Sequence, residues 1–309
     1  MKIVSLLFAV MATASGLGIP AFANPPFAGG PADGAELPQA RPPAGMTLSA
    51  LPSGRIFSRA ALAYKGGDFT DQRAFNVGAI LVQHPAGNLL FDSGFGQHVN
   101  EHAKTRTQLM QWTSRYEMGA TVAKQLAANG IQPGKLKAVV LTHAHWDHVS
   151  GLENLPGVPV WVTQQERDFV NSGHRSTELA RQLGTRDYRV YGFSDVPYLG
   201  FNLSYDVFGD GSVVLVPAPG HTPGSIIAFI ALPSGQRYAL IGDIAWQIEG
   251  IDIPAEKPWI SRRVADNDAD ATRNLLEHMH ALKNAFPTLT IVPAHDARVW
   301  DKLPHLPVP

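Results

Sequence analysis

Apolar positions along this chain fall into short, dense runs separated by turn residues, and most runs are too short to be helices. Ala138–Leu141, Val158–Val162, Val213–Val216, Ile226–Ala231, Tyr238–Ile241 and Leu289–Val292 are rich in β-branched residues and bounded by glycine, proline or polar clusters. That pattern predicts buried strands. Ala60–Tyr64 and Phe75–Gln83 give earlier strand signals. The second is followed by the turn cluster His84-Pro85-Ala86-Gly87-Asn88 and by Leu89–Phe91, which reads as a hairpin. Helical spacing predicts a helix over Met118–Asn129, with Val122, Leu126 and Ala127 inward and Gly130 as its stop. A short helix over Gln164–Val170 has Thr163 as its N-cap. A long helix over Asp268–Ala285 places Leu275, Leu276, Met279 and Leu282 on one face, and Pro287 closes it. Two strand-rich halves, each with helices, imply an α/β fold layered as a four-layer αββα sandwich.

Four of these runs stop at a residue that can bind metal. Ala138–Leu141 runs into His143, His145, Asp147 and His148, and Val213–Val216 into His221. Tyr238–Ile241 runs into Asp243, and Leu289–Val292 into His295. Side chains alternate along extended backbone, so His143 and His145 project to one side, while Asp147 and His148 follow where the chain bends toward a second point. Imidazole and carboxylate together suit zinc and similar divalent ions. A two-and-two split is the layout of a dinuclear hydrolase. The loop Pro217-Ala218-Pro219-Gly220-His221-Thr222-Pro223-Gly224 holds its histidine on a stiff backbone. Asp92, just beyond Leu89–Phe91, is a candidate to orient a metal-bound histidine, and is equally a turn or cap residue. His98 and His102 lie four apart among polar residues and read as solvated surface. His278 and His280 do not share a helix face and read as structural or exposed. Trp246, Tyr191 and Phe95 are the candidate pocket residues. Aromatics between glycines over residues 171–205 can line a substrate pocket or form the loop's own small core.

Composition narrows this picture. Of 309 residues none is cysteine, which excludes disulfides, thiolate zinc sites and a cysteine nucleophile. The net charge is −1 and no Lys/Arg block occurs, which argues against a nucleic-acid partner and an anionic membrane surface. Residues 1–23 read as a signal peptide: Lys2, an apolar core from Ile3 to about Leu17 too short for a stable span, and the Ala21-Phe22-Ala23 cleavage site. Export to the periplasm or medium with a cut after Ala23 is expected, with no stable membrane anchor. Residues 24–52 read as a Pro/Gly-rich leader, with a homodimer-forming arm as its functional alternative, and 53–309 as the folded domain.

The His-x-His-x-Asp-His run, joined by the Gly-His, Gly-Asp and terminal His pieces, resembles the metallo-β-lactamase superfamily over roughly Phe75–His295. The Asn88–Gly94 segment, the Pro-Gly-His-Thr-Pro-Gly-Ser loop and the short C-terminus are most similar to its N-acyl-homoserine lactonase-like group. The resemblance implies a metallo-hydrolase domain in which His143, His145 and His221 hold one ion. Asp147, His148 and His295 hold another, Asp243 bridges them, and Asp92 supports a ligand. Two divalent ions, zinc first and manganese, cobalt or iron also accepted, would share a hydroxide that opens a lactone or carboxylic ester, with Asp147 and Asp243 as the catalytic carboxylates. Asp243 argues against a true β-lactamase, which lacks that bridge. The short C-terminus argues against a glyoxalase-type thioesterase. Lactonases of the group often carry Tyr where this chain has Trp246, so phosphotriesters and aryl esters stay open beside N-acyl-homoserine lactones. A periplasmic metal-binding protein without turnover and a redox di-iron protein are the remaining alternatives. The first has no use for an aromatic pocket, and the second usually prefers a carboxylate where His145 stands.

Overall fold

The computed structural model describes residues 36–184 and 186–307. The expected signal peptide and residues 24–35 of the expected leader lie outside the described residues. Two sheets face each other. The larger contains β1 (Thr47–Arg59), β2 (Gln72–Gln83), β3 (Asn88–Phe91), β4 (Arg115–Met118), β5 (Leu136–Val140), β6 (Val160–Thr163) and β7 (Tyr188–Tyr191), in the order β4-β1-β2-β3-β5-β6-β7. The smaller contains β8 (Tyr205–Asp206), β9 (Val213–Pro217), β10 (Ile226–Ala231), β11 (Arg237–Leu240) and β12 (Leu289–Val292), in the order β12-β11-β10-β9-β8.

Side-chain alternation divides each strand between two cores. Leu89, Phe91, Ala138 and Val140 point between the sheets and meet Leu215, Ala228, Ile230 and Leu240. Leu90, Val139 and Leu141 point the other way, onto Val122, Leu126, Val149 and Leu152 of the helical layer. On the far side, Val216, Ile227, Phe229 and Ile241 pack on Leu275, Leu276, Met279 and Leu282 of the helix Ala269–Ala285. The result is the expected αββα sandwich. Because both faces of the inner strands are covered, they read as unbroken apolar runs rather than alternating ones.

Strand direction positions the site. β3 pairs parallel with β5, β5 with β6, and β11 with β12. β9 and β11 both lie antiparallel to β10, so they run the same way. Parallel strands end side by side, and the polar segments after β3, β5, β9, β11 and β12 therefore converge on one edge of the sandwich. A hydrogen bond from the Ile226 amide to the Thr142 carbonyl (3.1 Å) ties the two sheets there.

Three expectations are corrected. Thr47–Pro52, read as leader, forms the first half of the longest strand and pairs with β2 from Thr47↔Gln83 onward. The expected strand Ala60–Tyr64 is a helical turn, Ala60–Ala63. The helix expected from Met118 begins at Val122, because the Thr121 side chain caps it by accepting from the Lys124 amide, while Met118 ends β4. Pro52 and Gly54 obscured β1: its pairing with β2 is irregular between them, and they break the apolar pattern there.

Candidate metal centre

Seven side chains meet at the converged edge. His221 Nε2 lies 2.9 Å from His145 Nδ1 and 3.2 Å from His143 Nε2. The ring pairs His143–His221 and His145–His221 are edge-on, with centroids 4.6 Å apart in each. A second group forms beside it, where His295 Nε2 stands 3.5 Å from Asp147 Oδ2 and His148 Nε2 4.0 Å from Asp147 Oδ1. Asp243 lies between the two groups. Its Oδ2 is 3.4 Å from His221 Nε2, and its Oδ1 is 3.3 Å from His148 Nε2 and 3.1 Å from His295 Nε2.

This arrangement fits bound cations. His148 Nε2 and Asp243 Oδ1 are buried and make no hydrogen bond among the described residues, which is costly unless something else satisfies them. Three imidazole nitrogens face one point in the first group, and donor atoms of His143, His145 and His221 all lie within 4.8 Å of one another, as do those of Asp147, His148 and His295. Nitrogen and carboxylate donors without sulfur match zinc and the harder divalent ions.

Electrostatics separate the groups. Burial first, then the neighbouring imidazoles, push His143 and His145 well below the ordinary histidine value. Burial also lowers His221 despite its bond to Asp266. The shift favours the neutral imidazole on all three, the form that ligates. Burial opposes charge on His148 and His295 too, but Asp92 and Asp243 outweigh it on the first and Asp243 on the second, and both are raised. Asp243 is held well below the carboxylate range because His295 and His148 overcome its burial.

The ligands are aimed by residues behind them. The Thr142 amide and hydroxyl donate to Asp92 (2.8 and 2.9 Å), whose Oδ2 faces His148 Nδ1 at 2.9 Å. His295 Nδ1 donates to the Asn76 carbonyl at 2.7 Å. His221 Nδ1 lies 2.8 Å from Asp266 Oδ1, and the buried Lys257 ammonium donates to that same oxygen at 2.8 Å and to the Asp243 carbonyl at 2.7 Å. Gly220 lets His221 reach this position: at φ +153 its Cα lies so close to the start of the long helix that a Cβ would meet the Thr272 amide nitrogen at 2.8 Å. Glu166 accepts from the Ala144 amide (2.6 Å), the Thr222 hydroxyl (2.6 Å) and the Gly224 amide (3.1 Å), tying the two histidine loops together. Burial raises its carboxyl to about 7.

A cavity of about 320 Å³ opens over the seven residues, with His145, Asp147, His221, Asp243 and His295 at its floor and Ile56, Phe75, Met110, Trp146 and Trp246 in its walls. Trp246 lines it, and its indole N–H donates to Asp243 Oδ2 at 2.8 Å. Phe95 and Tyr191 do not line it. The Phe95 amide donates to Ser53 Oγ and its ring is fully buried, stacked on Trp146 at 5.4 Å. Tyr191, on the edge strand β7, packs on Tyr205 and Phe193 at the margin of the inter-sheet core. His98 is exposed beside Glu153, but His102 is buried with Nδ1 2.8 Å from Ser150 Oγ, against the reading of both as solvated. His278 is buried and faces the Leu199 carbonyl, and His280 faces the Ile251 carbonyl, both as structural residues.

Asp266, Lys257, Glu166 and Arg106 were not legible from the sequence. Asp266, Lys257 and Arg106 follow no strand run, and Glu166 stands just beyond Val158–Val162. Glu166 carried one signal, its place three residues after Thr163, but that pattern marks a helix cap and its carboxylate is used elsewhere.

Comparison with known proteins agrees with the fold. Residues 73–295 match the family model described as Metallo-beta-lactamase superfamily. A Mycobacterium tuberculosis protein named Probable metallo-hydrolase is 28% identical over 235 residues, 72% of this chain and 74% of that protein. The N-acyl homoserine lactonase AttM of Azorhizobium caulinodans is 25% identical over 243 residues, 74% of this chain and 84% of that protein. In fold, the chain is similar to an N-acyl homoserine lactone hydrolase solved with N-hexanoyl-L-homoserine bound at its catalytic metal centre. The TM-score is 0.67 at 19% identity, covering 84% of this chain and 97% of that one.

Proposed function

The chain belongs to the metallo-β-lactamase superfamily, and on that premise we propose that it is a hydrolase using two divalent ions, zinc first among them, to open a lactone or carboxylic ester, with N-acyl-homoserine lactone as the favoured substrate. The observation that carries this reading is the position of Asp243. One carboxylate lies within 3.4 Å of His221 on one side and within 3.3 Å of His148 and His295 on the other, at the floor of an apolar cavity. The lactonase relatives support the substrate class.

His143, His145 and His221 would hold one ion, Asp147, His148 and His295 the other, and Asp243 both. Such ions would supply polarisation of a carbonyl oxygen and a water whose pKa is lowered toward neutrality. The chain's own groups supply the rest. Apolar walls strip water from the substrate and strengthen every electrostatic contact at the floor. Asp147 faces the cavity beside His295 and is placed to take the proton of the attacking water oxygen and pass it to the ring oxygen whose C–O bond breaks. Asp92, Asp266 and the Asn76 carbonyl hold the Nδ1 sides of His148, His221 and His295, which turns the Nε2 atoms of those three rings toward the site. The indole of Trp246 is committed to Asp243, so it orients that carboxylate and gives its ring face to the substrate wall.

The test is proton release by the purified mature protein with a long-chain N-acyl-homoserine lactone and with a δ-lactone, each with and without chelator. Chelator-sensitive turnover of either is the expected result. Silence on both, with two metals bound per chain, would overturn the lactone assignment and move the activity to phosphotriesters or aryl esters. We further propose export with cleavage after Ala23. N-terminal sequencing of the exported protein should begin at Asn24, and an intact Met1 would defeat it.

A further inference from the structure

Arg106 is a buried cation in the cavity wall that forms no ion pair among the described residues; the carboxylate whose charge reaches it is Asp147, on the cavity floor. It is 7% exposed and lines the cavity with Trp146 and Asp147. Its Nε donates to the Ala103 carbonyl at 3.0 Å and its Nη1 to Ser114 Oγ at 3.0 Å. Those two bonds fix the plane of the guanidinium. Tyr116 and Trp146 fix it further, with ring centroids 5.2 and 5.3 Å from its central carbon. Among the described residues it has no ion-pair partner, and Nη2 makes no hydrogen bond. The protein therefore holds a rigid, planar donor toward the cavity and leaves part of its fork open.

An unpaired guanidinium in an apolar pocket acts on a ligand in two ways. An oxygen acceptor that reaches Nη2 gains a charge-assisted hydrogen bond. An alkyl group placed there strips water from the cation and returns nothing, which penalises the wrong substrate. Arg175 and Arg263 also line the cavity but are exposed, so Arg106 is the guanidinium there that is buried and held fixed, and its contact discriminates between an acceptor and an alkyl group.

We infer that Arg106 is a specificity-determining residue that receives a second oxygen acceptor of the substrate, a carbonyl or carboxylate set apart from the bond that is cleaved. This rests on the lactone reading above and sharpens it. Lactones with an amide carbonyl on the ring substituent are selected over lactones with a plain alkyl chain of the same length.

The test separates binding from turnover. Two ring-stable lactams serve as probes: α-hexanoylamido-γ-butyrolactam, and α-heptyl-γ-butyrolactam, which has the same reach without the amide. Calorimetry on the metal-loaded protein should show the amide-bearing lactam bound about tenfold more tightly or better. In Arg106→Met that preference should fall to about twofold or less. Arg106→Lys keeps the charge but loses the planar fork, and should fall between the two. Equal affinities in the unaltered protein, or a preference unchanged in Arg106→Met, would overturn the inference. If Arg106→Met does not fold, the unaltered protein and Arg106→Lys still decide it. Failure of the matching lactones to turn over, with the lactam preference intact, would sink the lactone reading and leave Arg106 as the acceptor site.

Discussion

Behind His221 stands a buried ion pair, and behind His295 stands a backbone carbonyl. The first group of histidines has no carboxylate of its own, and its three imidazoles are driven neutral by burial and mutual repulsion. Its orientation comes from Asp266, which is shared with Lys257. The second group has Asp147 within it and Asp92 behind it, and is braced by the Asn76 carbonyl. One group is aimed by charges that must be matched, the other mainly by strand ends already fixed in the sheets. Similar ligands thus have different vulnerabilities: the His221 side fails through its supports, the His148/His295 side through its ligands.

The largest effect expected is on the ligands themselves. His145→Ala removes a donor that no neighbour replaces. It should cost one metal equivalent per chain and more than about a hundredfold in activity, read by elemental analysis beside turnover. Full activity with both metals retained would show that the site has been assigned to the wrong residues.

Asp266→Ala tests the supports. Removing that carboxylate leaves the Lys257 ammonium buried without its partner, in a place where both side chains are 1% exposed. Breaking such a pair costs about 3–5 kcal/mol, more than deleting both members. Asp266→Ala should therefore be less stable to urea than Asp266→Ala/Lys257→Met, and both should weaken binding of the ion on the His221 side by about 10–100-fold. Asp92→Ala should show no such rescue by a second deletion. A double variant no more stable than the single one would erase the distinction between the two halves.

Trp246→Phe is milder. It keeps the ring in the wall and removes the donor to Asp243 Oδ2. A hydrogen bond to a charged group contributes about 1.5–3 kcal/mol, so the urea midpoint should fall modestly, and kcat should fall by about tenfold as Asp243 loses its orientation. An unchanged kcat would reduce Trp246 to a wall residue.

The same contrast explains what the sequence made legible. Ligands follow apolar strands, so His143, His145, Asp147, His148, His221, Asp243 and His295 each stood at the end of a run that predicts its own position. The layered fold was legible for the same reason. Supports need only be near a ligand in space. Asp266 and Lys257 lie 45 and 36 residues from His221 in the chain, counting from the sequence, on segments with no periodic pattern. Arg106 follows a short turn, and its environment is made by Tyr116 and Trp146 from two other segments. Phe95 and Tyr191 show the converse. Aromatic residues next to glycines suggested a pocket, but ring burial is decided by which sheet face the backbone presents.

The smallest effect lies one layer behind His295. Arg298 bridges Glu249 and Asp296, and Glu249 also receives Arg73 from β2, with Nη1 at 2.7 Å. Asp296 in turn accepts from the Ile248 amide at 2.9 Å, and Gln247 donates to the His295 carbonyl at 2.9 Å, so this network clamps the turn that carries the ligand. Partial burial works against charge on Glu249, but the bonds from Arg298 and Arg73 outweigh it and hold the carboxyl at about 2, below its ordinary 4.5. A folded-state value below the unfolded one means that the stabilisation is present in full above pH 4.5 and is lost as pH falls toward 2. The Glu249 side chain is 22% exposed and its partner Arg298 49% exposed, so solvent screening leaves about 1 kcal/mol of the effect. Glu249→Gln should therefore lower the urea midpoint at pH 6, and the two proteins should converge as the pH approaches 2. Because the Lys257–Asp266 pair lies on the other side, acid should loosen the His295 turn before the His221 loop. Amide exchange at Asp296–Arg298 against Asn267–Asp268 reads that order directly, and simultaneous loosening would show that the two halves share one support.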